Sequence, residues 1–298
     1  MAAIICMGML VRDLVFAVPS LPPTPQKLTA TALTQGGGGM AASAANAAAA
    51  LGGTVAWWGR VGDDDAGREL RDELAARGVA IHTHLVPGTQ TPVAAVLVAD
   101  NAERMLAVFR GKLDDSPDWL PLAQVKNVQA VHADFRWTRG ARALYEAARS
   151  AGIPRVLDAD AGEPDSVREL LPLVDHAIFS QRGLAQLAGT ADVDAGLRHA
   201  AALSPGVVGV TLGEQGSAFL IDGVAHKLAA PAIRARDTNG AGDAFHGAYA
   251  LALAEGHDVR TAIRFATAAA ALKCRNGSGW KAAPDRAAVD EFLKGNVW

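Results

Sequence analysis

The chain has 298 residues, of which 50% are hydrophobic and 20% charged, and its 28 Lys and Arg against 31 Asp and Glu give a net charge of −3. This balance excludes a disordered chain, and the near-neutral charge predicts neither nucleic acid nor an anionic membrane as a partner. Two cysteines, Cys6 and Cys274, are too few for a disulfide framework or a metal cluster and favour a reducing cytoplasm.

Short apolar runs alternate with Ala- and Leu-rich helical stretches along most of the chain. This alternation predicts an α/β fold in which helices cover both faces of a parallel sheet. No run is long and apolar enough to predict a membrane span, and the N-terminal run reads as a buried strand rather than a signal peptide. The predicted strands are Ile4–Met9, Thr54–Trp58, Val128–Ala133, Val156–Ala159, Ala177–Phe179 and Val207–Thr211, and the predicted helices include Gly67–Arg77, Arg139–Ala151 and Asp192–Leu203.

Two stretches, 14–35 and 81–110, interrupt this alternation with strand-like pieces and Pro or Gly turns but no helix. In the second, a hairpin is predicted from Thr91 to Phe109 with its turn around Asn101. We expect these stretches to form a small antiparallel sheet outside the main body. A lid is the functional interpretation, and an extension of the sheet edge is the alternative.

We expect residues 1–298 to form a single domain that carries this lid. The exposed edges and face of such a sheet need to be covered, because unpaired strands are prone to pair with other chains. Pairing of two subunits through their lids would cover them, so a homodimer is predicted.

Four consecutive glycines, Gly36–Gly39, precede an Ala-rich helix at Met40–Leu51. A dinucleotide-binding turn is one interpretation, and it would make the chain an NAD-dependent dehydrogenase. The strand that such a turn must follow is unconvincing in this sequence.

The segment Asp237–Asp243 reads Asp-Thr-Asn-Gly-Ala-Gly-Asp and precedes an apolar helix. Gly240 and Gly242 allow the backbone to turn sharply and approach a ligand, and free N–H groups at a helix N-terminus favour an anion. Asp243 at the helix start could accept a proton from a hydroxyl that attacks phosphorus, and phosphoryl transfer needs both parts. A Gly-containing loop that merely caps the helix explains the spacing equally well. His246, one turn later, is expected to have a packing or solvent role rather than a catalytic one.

The whole string closely resembles the C-terminal signature of the ribokinase-like (PfkB) carbohydrate kinases, usually Asp-Thr-Thr-Gly-Ala-Gly-Asp, with Asn239 in place of one Thr. Gly59–Gly67 resembles the early signature of the same family. The resemblance covers Gly8 to Phe292 and implies a three-layer α/β sandwich with a mostly parallel central sheet and a small β-sheet lid. It also implies an ATP-dependent kinase that transfers the γ-phosphate to a hydroxyl of a small sugar.

The resemblance assigns roles to individual residues. Asp243 would be the catalytic base, and the backbone amides of Gly240, Ala241 and Gly242 would form an anion hole. The sugar would contact Asp13, Gly38, Gly39, Asp243 and Ser43, the last at a position where the family has Asn. ATP would contact Ser180, Thr211, Gly213, Gly216, Asn239 and Gly242.

Within the family, the chain is most similar to bacterial 6-deoxy-6-sulfofructose kinases of sulfoglycolysis, for example in Ala133–Trp137. In those enzymes a Lys, an Asn and an Arg hold the sulfonate; Lys27 and Arg136 match the Lys and the Arg, and Val108 replaces the Asn. Two cations favour a ketohexose with an anionic tail, which could be a sulfonate, a phosphate or a carboxylate. The alternative is a neutral or other sugar, such as fructose, ribose or 2-keto-3-deoxygluconate, with Lys27 solvated and Arg136 in a local ion pair.

The family commonly carries Asn-x-x-Glu near Mg²⁺ after the strand at Ala177–Phe179, but residues 180–183 here read Ser-Gln-Arg-Gly. Mg²⁺ is still expected with ATP, because the phosphates need charge neutralisation. The resemblance also implies a monovalent-cation site, for example for K⁺, near Asp237 and Gly279. A catalytically silent sugar- or nucleotide-sensing relative is a further alternative, against which the presence of Asp243 argues.

Overall fold

The computed structural model describes residues 1–100 and 103–295. Its strands are β1 (Ala3–Met7), β2 (Val11–Val18), β3 (Ala32–Gly38), β4 (Thr54–Gly62), β5 (Val79–Val86), β6 (Val93–Ala99), β7 (Arg104–Phe109), β8 (Ala130–Asp134), β9 (Arg155–Ala159), β10 (His176–Ser180), β11 (Val207–Thr211), β12 (Ser217–Ile221) and β13 (Val224–Leu228). Its α-helices are α1 (Met40–Ala50), α2 (Asp65–Ala75), α3 (Thr138–Ser150), α4 (Pro164–Leu170), α5 (Gln181–Ala188), α6 (Val193–Ala201), α7 (Ala241–Ala254), α8 (Val259–Asn276) and α9 (Arg286–Gly295).

Within these residues, nine strands form one large sheet in the order β13-β12-β11-β10-β9-β8-β1-β4-β5. The strands from β11 to β5 run parallel, and β12 and β13 are added antiparallel at one end. Every predicted strand of the main body lies in this sheet. The prediction of a central, mostly parallel sheet is therefore confirmed.

Helices pack on both faces of the large sheet, because successive side chains of a strand point to opposite faces. In β1, Ile4 and Cys6 are buried in one apolar cluster with α1, α7 and α8, and Ile5 and Met7 are buried in a second cluster with α3, α4, α5 and α6. Trp57 and Trp58 of β4 divide between the two clusters in the same way, and both are fully buried. Two adjacent tryptophans after a strand predict that one packs in the core while its neighbour faces the lid or solvent, and the burial of both shows that this prediction is wrong.

The start of several helices follows from an aspartate at the cap position. Asp64, Asp192 and Asp258 each accept a hydrogen bond from the backbone N–H three residues later, at 2.7–2.9 Å. Such a bond satisfies one of the free donors of the first turn. None of the helices that the structure describes is both long and apolar enough to cross a membrane.

The small sheet has the order β3-β2-β6-β7. β2 pairs antiparallel with β3 and parallel with β6, and β6 pairs antiparallel with β7, so this sheet is mixed rather than purely antiparallel. β5 lies in the large sheet beside β4, and the predicted lid segment 81–110 therefore begins too early. The first segment, 14–35, is too short at both ends, because β2 begins at Val11 and β3 ends at Gly38. The turn predicted around Asn101 lies outside the described residues.

Candidate active site

A cavity of about 400 Å³ lies between the small sheet and the carboxyl ends of the parallel strands. Ligands of open α/β sheets bind at this edge. The large sheet contributes Asp158, Ser180 and Thr211 to the wall, with Asp160 directly after β9, and the small sheet contributes Asp13, Gly37, Gly38, Leu106 and Val108. Loops and helices contribute Gly39, Ser43, Asn46, Arg110, Arg136, Asn239, Gly240, Gly242, Asp243, His246, Lys273, Gly279 and Trp280.

A second cavity, of about 580 Å³, adjoins the first, and Thr211 and Gly242 line both. Its wall holds Gly213 and Gly216 together with apolar side chains such as Ile233 and Phe245, a surface that suits a flat aromatic ligand. Two of the residues assigned to ATP, Asn239 and Ser180, line the first cavity instead. The hydroxyl of Ser180 also caps α5 by accepting a hydrogen bond from the Gly183 amide at 2.9 Å.

Residues 237–240, which we call the anion loop, lead into α7. Gly240 takes a left-handed conformation, with φ 73°, just before the helix begins, which favours glycine there. The first turn of a helix leaves backbone N–H groups without partners inside the helix, so the amides of Gly242 and Asp243 are suited to an anion. The Ala241 amide instead donates to the Thr238 carbonyl at 3.3 Å. Because Gly242 lines both cavities, a group that passes from one cavity to the other would meet the amides of Gly242 and Asp243.

Asp243 stands in the first turn of α7 and faces the first cavity. Removal from water raises the pKa of its carboxyl to about 8, and the nearby Asp158 carboxylate acts in the same direction. Burial also raises the pKa of Asp13, to about 6. Asp243 is thus a carboxylate with unusual basicity, as a general base for a hydroxyl requires.

His246 is buried beneath Asp243, one helical turn along α7. Its Nδ1 atom lies 2.8 Å from the Gly242 carbonyl oxygen and 3.3 Å from Asp158 Oδ2. Burial lowers the pKa of His246, so the neutral ring can donate from Nδ1 to Gly242. His246 thus holds the backbone of the anion site, a contact that goes beyond the predicted packing or solvent role.

Asp13, on β2, and the glycines at the end of β3 form the side of the cavity opposite α7. A Cβ atom on Gly38 would lie 2.3 Å from Asp13 Oδ2, so the carboxylate packs directly on this backbone. Because Gly36–Gly38 form the end of a strand in the small sheet, the interpretation of this segment as a dinucleotide-binding turn after a parallel strand is wrong.

Trp280 packs against the same glycine segment. A Cβ atom on Gly37 would lie 2.3 Å from the indole ring, and the indole N–H donates to Ser43 Oγ at 3.0 Å. Asn46, three residues along α1 from Ser43, donates to the Trp280 carbonyl at 3.0 Å. Trp280 is therefore a rigid part of the cavity wall, and the hydroxyl of Ser43 keeps one hydrogen and one lone pair for other partners.

Two arginines meet one carboxylate at another part of the wall. Arg136 donates to Glu163 Oε1 at 3.0 Å and to the Ala161 carbonyl at 2.9 Å, and Arg110, from the end of β7, also donates to Glu163 Oε1. Both arginines line the first cavity. The resemblance assigned Lys27, together with Arg136, to hold the sulfonate. Lys27 is exposed in the connection between β2 and β3 and is not among the described residues of either cavity wall.

Two further cations hold the anion loop. Arg104, at the start of β7, donates to Asn239 Oδ1 at 3.0 Å and to Thr238 Oγ1. Lys273, on α8, donates to the backbone carbonyls of Asp237 and Asn239. The loop is thus fixed from the small sheet and from α8.

The sequence interpretation missed Arg104, Arg110, Lys273 and Trp280. A signal for the arginines exists, because Arg104, Leu106, Val108 and Arg110 follow the two-residue period of a strand face. Lys273 and Trp280 carry no comparable local signal.

Among the described residues, no three His, Cys, Asp or Glu side chains come close enough together to hold a metal ion. Asp160 and Ser180 do line the first cavity, near Thr211. An oxygen donor at this place suits a Mg²⁺ ion that keeps several waters and takes its other ligands from phosphates.

A family model described as pfkB family carbohydrate kinase matches residues 1–286. The chain is 28% identical to a ribokinase of Bacillus subtilis over 79% of this chain and 80% of that protein, and 26% identical to a fructokinase of Vibrio alginolyticus over 80% and 85%. A solved structure of Arabidopsis thaliana ribokinase in complex with ribose and ATP superposes with a TM-score of 0.84 at 27% identity, over 98% of both chains.

Proposed function

Because the chain belongs to the pfkB family of carbohydrate kinases and is an ATP-dependent sugar kinase, we propose that its acceptor is a small sugar with an anionic tail. The observation that carries this proposal is the pair of arginines, Arg110 and Arg136, that share Glu163 in the cavity of Asp243. In this reaction Asp243 takes the proton of the attacked hydroxyl, and the amides at the start of α7 hold the transferring phosphoryl group.

The arginine pair has the chemistry of an anion site. Two guanidinium groups meet one carboxylate, so the group of three carries a net positive charge beside the cavity. Arg136 is only 16% exposed and Arg110 48% exposed, so an anion could bind both with little loss of side-chain freedom at Arg136. Planar guanidinium groups bind sulfonate, phosphate or carboxylate oxygens through paired hydrogen bonds.

A 6-deoxy-6-sulfofructose molecule fits this proposal, because it carries its sulfonate at one end and hydroxyls for phosphorylation at the other. The arginine pair would take the role that the sequence interpretation gave to Lys27 and Arg136. Val108 offers no hydrogen bond where an Asn was expected, so the two guanidiniums carry the recognition.

A neutral sugar is the second candidate, since the relatives are named ribokinase and fructokinase. In that case Glu163 stays paired with both arginines, and Asp13 and Ser43 bind the sugar hydroxyls. Mg²⁺ would neutralise the phosphates of ATP, and Asp160 in the wall of the first cavity would be a carboxylate available to it or to its waters.

The test is ATP consumption with sulfofructose, fructose 6-phosphate, fructose, ribose and 2-keto-3-deoxygluconate as acceptors. We expect kcat/KM for at least one acceptor with an anionic tail to exceed that for fructose and ribose by tenfold or more. Robust turnover confined to the neutral sugars would disprove the anionic tail while leaving the kinase intact.

We further propose that two copies pair through their small sheets. Leu33 on β3 and Met105 and Phe109 on β7 are 47–50% exposed, and β3 and β7 are the two edge strands of the small sheet, so large apolar side chains are exposed at both of its edges. A monomer in light scattering at micromolar concentration would remove this proposal.

A further inference from the structure

Lys273 is a buried cation that contacts the anion loop but is distant in sequence from it. The side chain comes from the last turns of α8, and the residue is only 4% exposed. Its Nζ atom donates to the backbone carbonyl of Asp237 at 3.3 Å and to that of Asn239. Carbonyl oxygens that converge on one point are the type of ligand that a potassium ion binds.

The loop around these carbonyls is held in a defined shape. The Asp237 carboxylate accepts a hydrogen bond from the Asn239 amide at 2.8 Å, and Arg104 lies 3.9 Å from the same carboxylate. Burial lowers the pKa of Lys273, and the Asp237 carboxylate acts in the opposite direction and favours the charged ammonium. The ammonium therefore has both the oxygen ligands and the counter-charge that a bound monovalent cation would need.

We propose that the ammonium group of Lys273 takes the place of the monovalent cation predicted near Asp237, and that the enzyme turns over without K⁺. The predicted site does not fit a free ion, because Lys273 already binds the loop carbonyls and Arg104 already faces Asp237. A potassium ion bound to these carbonyls would place a third positive charge beside the Lys273 ammonium and the Arg104 guanidinium. Closely spaced like charges repel strongly in a partly buried site.

In this role Lys273 is a positioning residue. It acts through the anion loop, whose far end sets the direction of the amides of Gly242 and Asp243. The ammonium is a compact charge with three donors, so it can bind two carbonyls and still face the cavity that it lines. The inference rests on the kinase activity alone and not on the identity of the sugar.

The test compares the parent enzyme and Lys273→Met in chloride salts of K⁺, Na⁺, ammonium and tetramethylammonium at equal ionic strength. Turnover of the parent should differ by less than twofold among the salts. Lys273→Met should lose about 100-fold in kcat in tetramethylammonium and regain at least tenfold in K⁺ or ammonium, because either ion can occupy the vacated position. Lys281→Met, which removes an exposed lysine from the neighbouring segment, is the matched control and should show neither effect.

Activation of the parent enzyme by K⁺ of tenfold or more would overturn the proposal, whatever the variant does. A folded Lys273→Met enzyme with unchanged kcat, or with a loss that no cation relieves, would also overturn it. Circular dichroism and thermal unfolding establish that the variant is folded, and its thermal midpoint should rise with added K⁺ while that of the parent does not. Loss of activity towards every sugar in the parent itself would instead contradict the proposed function.

Discussion

Arg104 of β7 donates a hydrogen bond to Asn239 Oδ1 at 3.0 Å and so connects the small sheet to the anion loop. Thr238 Oγ1 accepts a second hydrogen bond from the same guanidinium. The strand that lines the first cavity is thus in direct contact with the segment that leads to the proposed phosphoryl site.

We expect Arg104→Met to lower kcat/KM for ATP by about 10- to 100-fold, because a hydrogen bond to a charged group contributes about 1.5–3 kcal/mol. Initial rates at varied ATP and saturating sugar measure the effect. Lys112→Met, which removes an exposed lysine just beyond β7, is the control and should stay within twofold of the parent. Equal rates for Arg104→Met and this control would show that the contact has no part in turnover.

The arginine pair gives a prediction on acceptor choice. Arg110→Met and Arg136→Met should each lower kcat/KM for an acceptor with an anionic tail by about 10- to 100-fold, because each removes a charged hydrogen-bond donor. The rate with fructose should change less than threefold. Glu163→Gln is the matched control: it frees both guanidiniums from a competing carboxylate, so KM for the anionic acceptor should fall. An equal loss for anionic and neutral acceptors would contradict the role of the pair.

For the catalytic base, Asp243→Asn should lower kcat by about 10²–10⁴-fold, the usual contribution of a general base. Binding of ATP and sugar, measured by calorimetry, should change little because Asn has nearly the same shape. A variant that phosphorylates sugar at the parental rate would refute the mechanism.

The raised pKa of Asp243 predicts the direction of the pH dependence. The carboxylate must be deprotonated to accept a proton, and its pKa of about 8 means that protonation blocks it below that value. We therefore expect kcat/KM for the sugar to rise with pH and to level off above about 8. A profile that is flat between pH 6 and 9 would show that the pKa of the Asp243 carboxyl is not raised in the enzyme.

Trp280 predicts an effect on the sugar rather than on ATP. Trp280→Phe keeps a ring against Gly37 but removes the indole N–H that donates a hydrogen bond to Ser43. Because one such hydrogen bond contributes about 0.5–1.5 kcal/mol, we expect KM for the sugar to rise about twofold to tenfold. Ser43→Ala in the Trp280→Phe background should add little. Trp119→Phe changes a tryptophan outside the cavity and serves as the control. An unchanged KM would show that the indole does not position Ser43.

The large sheet could be predicted because buried parallel strands are short continuous apolar runs. β5 was assigned to the wrong sheet for a physical reason. As an edge strand of the large sheet it is only partly buried from Ile81 to Leu85, so its sequence lacks that apolar run and resembles a lid strand.

For the candidate site too, some residues could be predicted from the sequence and others could not. Asp243 and Gly240 could be found because the anion loop and the first turn of α7 are contiguous in sequence. The pairing of Arg110 and Arg136 with Glu163 spans 53 and 27 residues, and only the tertiary fold brings both arginines to the connection between β9 and α4. Lys27 matched a pattern by position, but the path of the β2–β3 connection carries it away from the cavity.

β7 carries Arg104 at one end and Arg110 just beyond the other, and each is bonded to a different part of the body. Movement of this strand away from the cavity must break both attachments, one beside the phosphoryl site and one beside the arginine pair. A ligand bound beside one attachment should therefore also keep the strand in place over the other. The order in which the enzyme releases its two products should then follow the order in which the two attachments break.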